Sequence, residues 1–155
     1  MSNDKLIPKQ TVEVTVTGLG STGEGVCKVN GFTVFAHGGL PGEIVKVKLE
    51  SVKKTYALGR TVDILKSSPD RCKPVCPIYE ECGGCQLQHL NYEAQLKIKT
   101  QQVKDAITRI GHLKNVEVLP TLRAVEPTFY RNKMQVPVAA NEGKLEIGCF
   151  AASTH

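Results

Sequence analysis

Tryptophan is absent from this chain, and the remaining aromatics make up only 5% of its 155 residues. A core built here draws chiefly on Val, Leu and Ile, and any ring-stacking surface has few rings to use. Long apolar runs are missing too. None approaches the ~18 residues that a membrane-spanning helix needs, so a transmembrane protein is not expected. Met1 to Gln10 is polar and lacks the apolar stretch of a secretory leader. Internal repeats and low-complexity tracts are absent, which argues against a repeat array or a fibrous chain. Neither sign of charge dominates: the net charge of +5 and the pI near 8.9 are mildly basic. Such a balance is compatible with a nucleic-acid partner without requiring one. The expectation is a monomeric cytoplasmic protein with no membrane partner. In that reducing compartment, clustered thiols more often bind metal or do redox chemistry than form structural disulfides.

What is present first is alternation. Val12, Val14 and Val16 alternate with Glu13, Thr15 and Thr17, the pattern of a strand with one buried face. A glycine-rich loop, Gly18 to Gly25, follows. Val26 to Val29 and Phe32 to Phe35 flank Asn30-Gly31, which predicts a hairpin with positive φ at both turn residues. Leu40-Pro41-Gly42-Glu43 reads as a second turn. Ile44, Val47 and Leu49 are set against Lys46 and Lys48, with Val45 left out of the alternation, and Tyr56 to Leu65 reads as a last strand. Five short strands predict a small OB-like β-barrel over 11–66, after a disordered lead-in at 1–10. Residues 67–155 read as a cysteine-rich loop, a helix and further strands, so the fold class is mostly β with some α. The helix is expected from Asn91, a suitable N-cap, to Ile110, with Gly111 placed to end it. Leu96, Val103, Ile107 and Ile110 would form its apolar stripe, and Glu93–Lys97 an i,i+4 pair. Strands are expected over 116–119, 129–138 and 144–150.

Four cysteines fall within fourteen residues: Cys72-x3-Cys76-x5-Cys82-Gly83-Gly84-Cys85. Pro74, Pro77, Gly83 and Gly84 make that segment a loop. Only five residues separate Cys76 from Cys82, too few for the two opposed knuckles of a zinc ribbon. An iron–sulfur cluster is therefore favoured over zinc, and zinc over a redox pair. A glycine-rich lead is discounted. Gly18-Leu19-Gly20-Ser21-Thr22-Gly23 has the dinucleotide-binding spacing, but a hairpin follows it where that motif needs a helix.

The order Cys76, Cys82-Gly83-Gly84-Cys85, Gln86-Leu87-Gln88-His89-Leu90, Tyr92 and Gln95-Leu96 resembles the RNA (uracil-5-)-methyltransferase family. The likeness extends to a TRAM-like barrel, with Gly18–Gly25, Phe32-Thr33-Val34-Phe35 and Leu40-Pro41-Gly42-Glu43 in matching order. Ser68-Pro69-Asp70-Arg71 and Tyr130-Arg131-Asn132-Lys133 also match. The resemblance implies that Cys76, Cys82 and Cys85 are three of four ligands to a 4Fe–4S cluster. The family's fourth cysteine follows a Ser/Thr-His pair, matched here by Thr154-His155. The chain is thus expected to be an N-terminal portion, with Cys72 or Cys149 as a possible substitute fourth ligand. An alternative reading is a stand-alone zinc or iron–sulfur RNA-binding module that uses Cys72.

The implied parent reaction uses S-adenosylmethionine. A cysteine thiolate adds to C6 of uracil, C5 attacks the methyl group, and a base removes the C5 proton as the cysteine leaves. The target base must be flipped out of its stack. No residue of this chain is assigned to those steps. Its expected roles are cluster housing and RNA grip, with ribosomal RNA expected ahead of transfer RNA. Lys46, Lys48, Lys53, Lys54, Arg60, Arg131 and Lys133 are the candidate phosphate contacts. Phe32, Phe35 and Tyr56 are candidate stacking rings. The competing reading makes the lysines a solvated strand face, the rings core, and Arg131 and Lys133 a salt-bridging strand face. His37, His89 and His112 are read as structural.

Overall fold

A computed structural model describes residues 6–151. It divides into two compact units, Met1–Arg71 and Cys72–His155. The first is a closed five-stranded barrel: β1 (Thr11–Leu19), β2 (Gly25–Val29), β3 (Phe32–His37), β4 (Ile44–Val52) and β5 (Tyr56–Lys66). Around the barrel the order is β1-β2-β3-β5-β4, with β1 closing on β4. Only the β3–β5 pairing is parallel; the others are antiparallel. Val12, Val14, Val16, Cys27, Val34, Ala36, Val45, Val47, Leu49 and Ala57 fill the interior. Burial pushes the Cys27 thiol up to about 11, so it serves as a small apolar side chain.

The turns follow their sequence. Asn30 and Gly31 have φ of 49° and 84°, both positive as a tight hairpin requires. Gly42 has φ of 85° at the third position of its turn, and Glu43 N–H donates to Leu40 O at 3.1 Å.

Two expectations for the barrel are corrected. In β4 the buried residues are Val45, Val47 and Leu49, while Ile44 lies on the outer face with Lys46 and Lys48. Val45 therefore belongs to the alternation and Ile44 does not. Residues 6–10 are not a loose lead-in. Leu6 packs against the core, Lys9 N–H donates to Leu49 O at 2.7 Å, and Leu49 N–H donates to Gln10 O at 2.8 Å.

A buried carboxylate fastens the barrel's end. Glu43 is fully buried. It accepts from Leu40 N–H at 2.9 Å, Ser68 N–H at 3.1 Å, and Arg71 Nε and Nη2 at 2.7 and 2.8 Å. Arg71 Nη2 also donates to Gly38 O at 2.6 Å. Burial by itself raises the Glu43 carboxyl; the Arg71, Leu40 and Ser68 hydrogen bonds and the Arg71 charge outweigh it and hold it below its ordinary value. Ser68-Pro69-Asp70-Arg71 is thus part of the barrel's closure.

In the second unit, α1 (Tyr92–Asp105) starts as expected: Asn91 Oδ1 accepts from Ala94 N–H at 2.8 Å. Its end differs. A π-helical turn, Ala106–Ile110, follows, and Gly111 keeps a right-handed φ of −75°. The left-handed residue is His112, with φ of 55°. Gly111 is needed for space instead, since a Cβ there would lie 2.7 Å from Ile107 O. Of the expected stripe, Leu96 and Ile107 are half-buried, while Val103 and Ile110 are exposed. Glu93 pairs with Arg123 at 3.1 Å and not with Lys97.

Beyond the helix the strands among the described residues are β6 (Val138–Asn141) and β7 (Lys144–Ile147), which pair with each other and are joined by Glu142 and Gly143 at positive φ. The strands expected over 116–119 and 129–137 do not form. A strand needs a neighbour for its backbone groups, and Leu119, Phe129, Tyr130 and Met134 there stand in solvent. Thr154-His155 lies outside the described residues.

Candidate nucleic-acid interface and cysteine loop

Strand pairing sets the barrel's cations in rows. His37 is opposite Arg60, Arg60 opposite Lys48, and Lys48 opposite Thr11, so one row crosses β3, β5, β4 and β1. All four are on the outer face, because the alternate positions of each strand are buried. Lys46 is one step along and reaches Asp63 at 3.3 Å; Arg60 reaches Glu50 at 3.5 Å. Both pairs are about half exposed and hold these cations only weakly. Lys48, Lys53 and Lys54 make no ion pair among the described residues. Lys53 and Lys54 form the β4–β5 turn, closed by Lys53 N–H donating to Tyr56 O at 2.8 Å.

Beside that row lies an aromatic pair. Phe35 and Tyr56 meet edge to face with centroids 5.7 Å apart. Both are partly exposed on the outer face, and Leu58, opposite Phe35, is exposed. Gly20, Ser21, Thr22, Glu24, Phe35 and Leu58 line a shallow cleft of about 210 Å³. Phe32, by contrast, packs against the core. No helix follows Gly18–Gly23; the chain enters β2 at Gly25.

Arg131 and Lys133 are exposed but lie on no strand, so the strand face expected for them does not exist. The Arg131 guanidinium lies 6.0 Å from the Tyr130 ring centre.

The cysteine loop is organised by the residues after it. Gln88 Oε1 accepts from Cys76 N–H at 3.0 Å, Gln88 O faces Cys72 Sγ at 3.4 Å, and His89 O accepts from Cys72 N–H at 2.9 Å. Tyr79 Oη lies 2.8 Å from Gln86 O and 2.6 Å from His89 Nδ1. The hydroxyl has one proton, and a carbonyl can only accept. Tyr79 therefore donates to Gln86 O, and the Nδ1–H of His89 donates to Tyr79. Burial, with the Glu80 charge, pushes the Tyr79 phenol up to about 12, so it stays protonated. From α1, Gln95 Nε2 donates to Leu87 O and Leu90 O at 3.1 and 2.8 Å, pinning the loop to the helix.

The thiols themselves are accessible: Cys72, Cys76 and Cys82 are half-buried, and Cys85 and Cys149 exposed. Four thiolates in one loop are suitable donors for iron or zinc. Among the described residues no three His, Cys, Asp or Glu side chains are gathered closely enough to hold a metal ion as they stand.

Residues 7–62 match the TRAM domain family. The chain is 47% identical over 144 residues to a protein of Halalkalibacterium halodurans described as an uncharacterized RNA methyltransferase. That alignment takes in 93% of this chain and 31% of the relative. A Clostridium tetani protein of the same description is 45% identical over 145 residues, covering 94% of this chain and 31% of that one. Residues 7–62 are thus a TRAM domain, and the chain around it is similar to part of proteins described as RNA methyltransferases. The chain spans about a third of the length of the relatives it matches. Among solved structures it is 30% identical to the Pyrococcus abyssi tRNA (uracil-54, C5)-methyltransferase in complex with S-adenosyl-L-homocysteine. That match covers 72% of this chain and 24% of the other, with a TM-score of 0.43.

The TRAM barrel brings Lys46, Lys48, Lys53, Lys54 and Arg60 together on the β4–β5 side. His37 joins their row but was read only as structural; its alternation with buried Val34 and Ala36 marks it as outward-facing. Gln88, Tyr79 and Gln95 also went unassigned, although Gln88 and Gln95 lie in the run that carries the family likeness. No helix among the described residues is long and apolar enough to cross a membrane.

Proposed function

We propose that this chain grips RNA for a S-adenosylmethionine-dependent RNA (uracil-5-)-methyltransferase, with ribosomal RNA as substrate. The observation that carries the reading is a TRAM barrel that sets Lys48 on its outer face and Lys53 and Lys54 at the β4–β5 turn, without ion pairs among the described residues, beside the Phe35–Tyr56 rings. Cations of this kind bind phosphate without regard to sequence, and exposed rings accept any base.

A salt series of RNA binding tests it. Each phosphate neutralised on a single strand contributes roughly −0.7 to the slope of log affinity against log salt. Replacing Lys48, Lys53 and Lys54 together by Ala should therefore flatten that slope by about 2 and weaken binding most at low salt. An unchanged slope and affinity would remove the barrel from the interface. Because these lysines are exposed, thermal stability should hardly change. Methyl transfer is not expected from these residues alone.

The proposal extends to the cysteine loop: Cys76, Cys82 and Cys85 hold a 4Fe–4S cluster, with a further thiolate completing the set. Its support is the tight cysteine spacing and the two glycines that let backbone approach a cluster. Metal sites seldom exist fully formed before the metal binds, so the loop would close around it. After anaerobic loading with iron and sulfide, replacing Cys82 by Ser should abolish the iron and sulfide retained. Equal retention by this variant would overturn the assignment.

A further inference from the structure

The cysteine loop and the segment after β7 run side by side. Gly83 N–H donates to Phe150 O at 3.0 Å, and Cys82 bridges Ala151 in antiparallel register. That register sets Gly84 opposite Cys149. Gly84 has no side chain, and the point where its Cβ would stand is 3.3 Å from Cys82 Sγ and 3.3 Å from Cys149 Sγ. Two thiols from distant parts of the sequence thus border one side-chain-sized gap. Their sulfurs are no further apart than twice that distance. Cys149 is exposed and Cys82 half-buried, so a small reagent can reach both. Gly84 N–H donates to Cys82 Sγ at 3.3 Å, which holds that sulfur at the edge of the gap.

We infer that Cys82 and Cys149 form a redox-modification site, joined as an intramolecular disulfide by a low-molecular-weight disulfide oxidant such as oxidised glutathione. The Cys82 thiolate attacks one sulfur of the oxidant and expels the other half as a thiolate. The Cys149 thiolate then attacks the Cys82 sulfur of this mixed disulfide and expels the second half. Two protein thiols lose their protons and two electrons; the oxidant takes up both electrons and leaves as two thiols. The bond ties the Cys82–Cys85 loop to the 148–151 segment. Gly84 makes it possible, because any side chain there would wedge between the sulfurs. The same Cys82 sulfur is the one proposed above to hold metal, so the disulfide is a property of the metal-free chain.

The test is oxidation of the metal-free chain with oxidised glutathione under native conditions, followed by alkylation of free thiols, digestion and mass spectrometry. The expected main product is a Cys82–Cys149 cross-linked peptide pair, lighter by two hydrogens than the separate peptides. In Cys149→Ser the cross-link is lost and Cys82 stays glutathionylated. Gly84→Ala should lower the yield by crowding the gap, whereas Cys72→Ser should leave it unchanged. In concentrated urea the pairing should shift to sequence neighbours such as Cys82–Cys85. A dominant Cys82–Cys85 or Cys76–Cys82 link in the native chain would overturn the proposal. So would a stable glutathione adduct on Cys82 with Cys149 present and free.

Discussion

Replacing Glu43 by Gln should destabilise the barrel by about 3–5 kcal/mol, the usual cost of removing one partner from a buried ion pair. The carboxylate is fully buried, and every group aimed at it is a donor: Leu40 N–H, Ser68 N–H and two Arg71 nitrogens. A glutamine amide would turn its own N–H groups toward those donors, and Arg71 would keep its charge with no counterion. Urea unfolding should show the loss as a lower midpoint at an unchanged slope. The pH dependence carries an independent signature. The folded-state carboxyl sits below its ordinary value of 4.5. Its stabilisation is therefore complete above that value and is lost as pH falls through the depressed folded value. The parent chain should weaken in that acid range, and Glu43→Gln should lack this component. A double replacement, Glu43→Leu with Arg71→Met, should recover part of the loss, because a buried pair can be exchanged for apolar contact at little cost. If Glu43→Gln unfolds at the same urea concentration as the parent, the pair is not what closes the barrel.

That pair also shows where legibility ends. The strands of the barrel were readable because each buries one face, and alternating valines report a buried face directly. The Asn30-Gly31 hairpin was readable because few residues tolerate two positive φ angles in succession. Glu43 and Arg71 are 28 positions apart, and nothing local announces that a turn's last carboxylate will meet an arginine beyond β5. Ile44 was placed on the wrong face for a related reason. Two apolar residues, Ile44 and Val45, stand side by side at the strand's start, and only the barrel decides which of them points inward. In the second unit the helix start was legible from Asn91, a local cap. The strands expected at 116–119 and 129–137 were not real, because strand residues also need a partner that composition cannot supply. Within the cysteine loop, spacing identified the thiols, but Cys149 reaches Gly84 only through backbone pairing of two segments more than sixty residues apart.

Gly59 carries the other large effect, and again only the folded barrel shows why. It lies inside β5, buried, opposite Leu49 on β4 and Ala36 on β3. A Cβ there would stand 2.6 Å from Lys48 O, 2.6 Å from Val47 Cγ1 and 3.2 Å from Leu49 Cα. Two of these three atoms are backbone of the strand that closes the barrel, so relief requires moving β4 away from β5. Overpacking a core typically costs about 1–3 kcal/mol. Gly59→Ala should fall within that range, and the bulkier Gly59→Val at or above its upper end. Two control glycines separate space from backbone strain. Gly31 has φ of 84° and open space around it, so Gly31→Ala should cost about 1–2 kcal/mol from the left-handed conformation alone. Gly18 has neither a positive φ nor a neighbour within 4 Å, so Gly18→Ala should be neutral or slightly stabilising. Urea midpoints for the three alanine variants and Gly59→Val measure the series. Gly59→Val should come out lowest and Gly18→Ala highest. A Gly59→Val variant as stable as Gly18→Ala would mean that β4 and β5 do not approach as closely as the closed barrel requires.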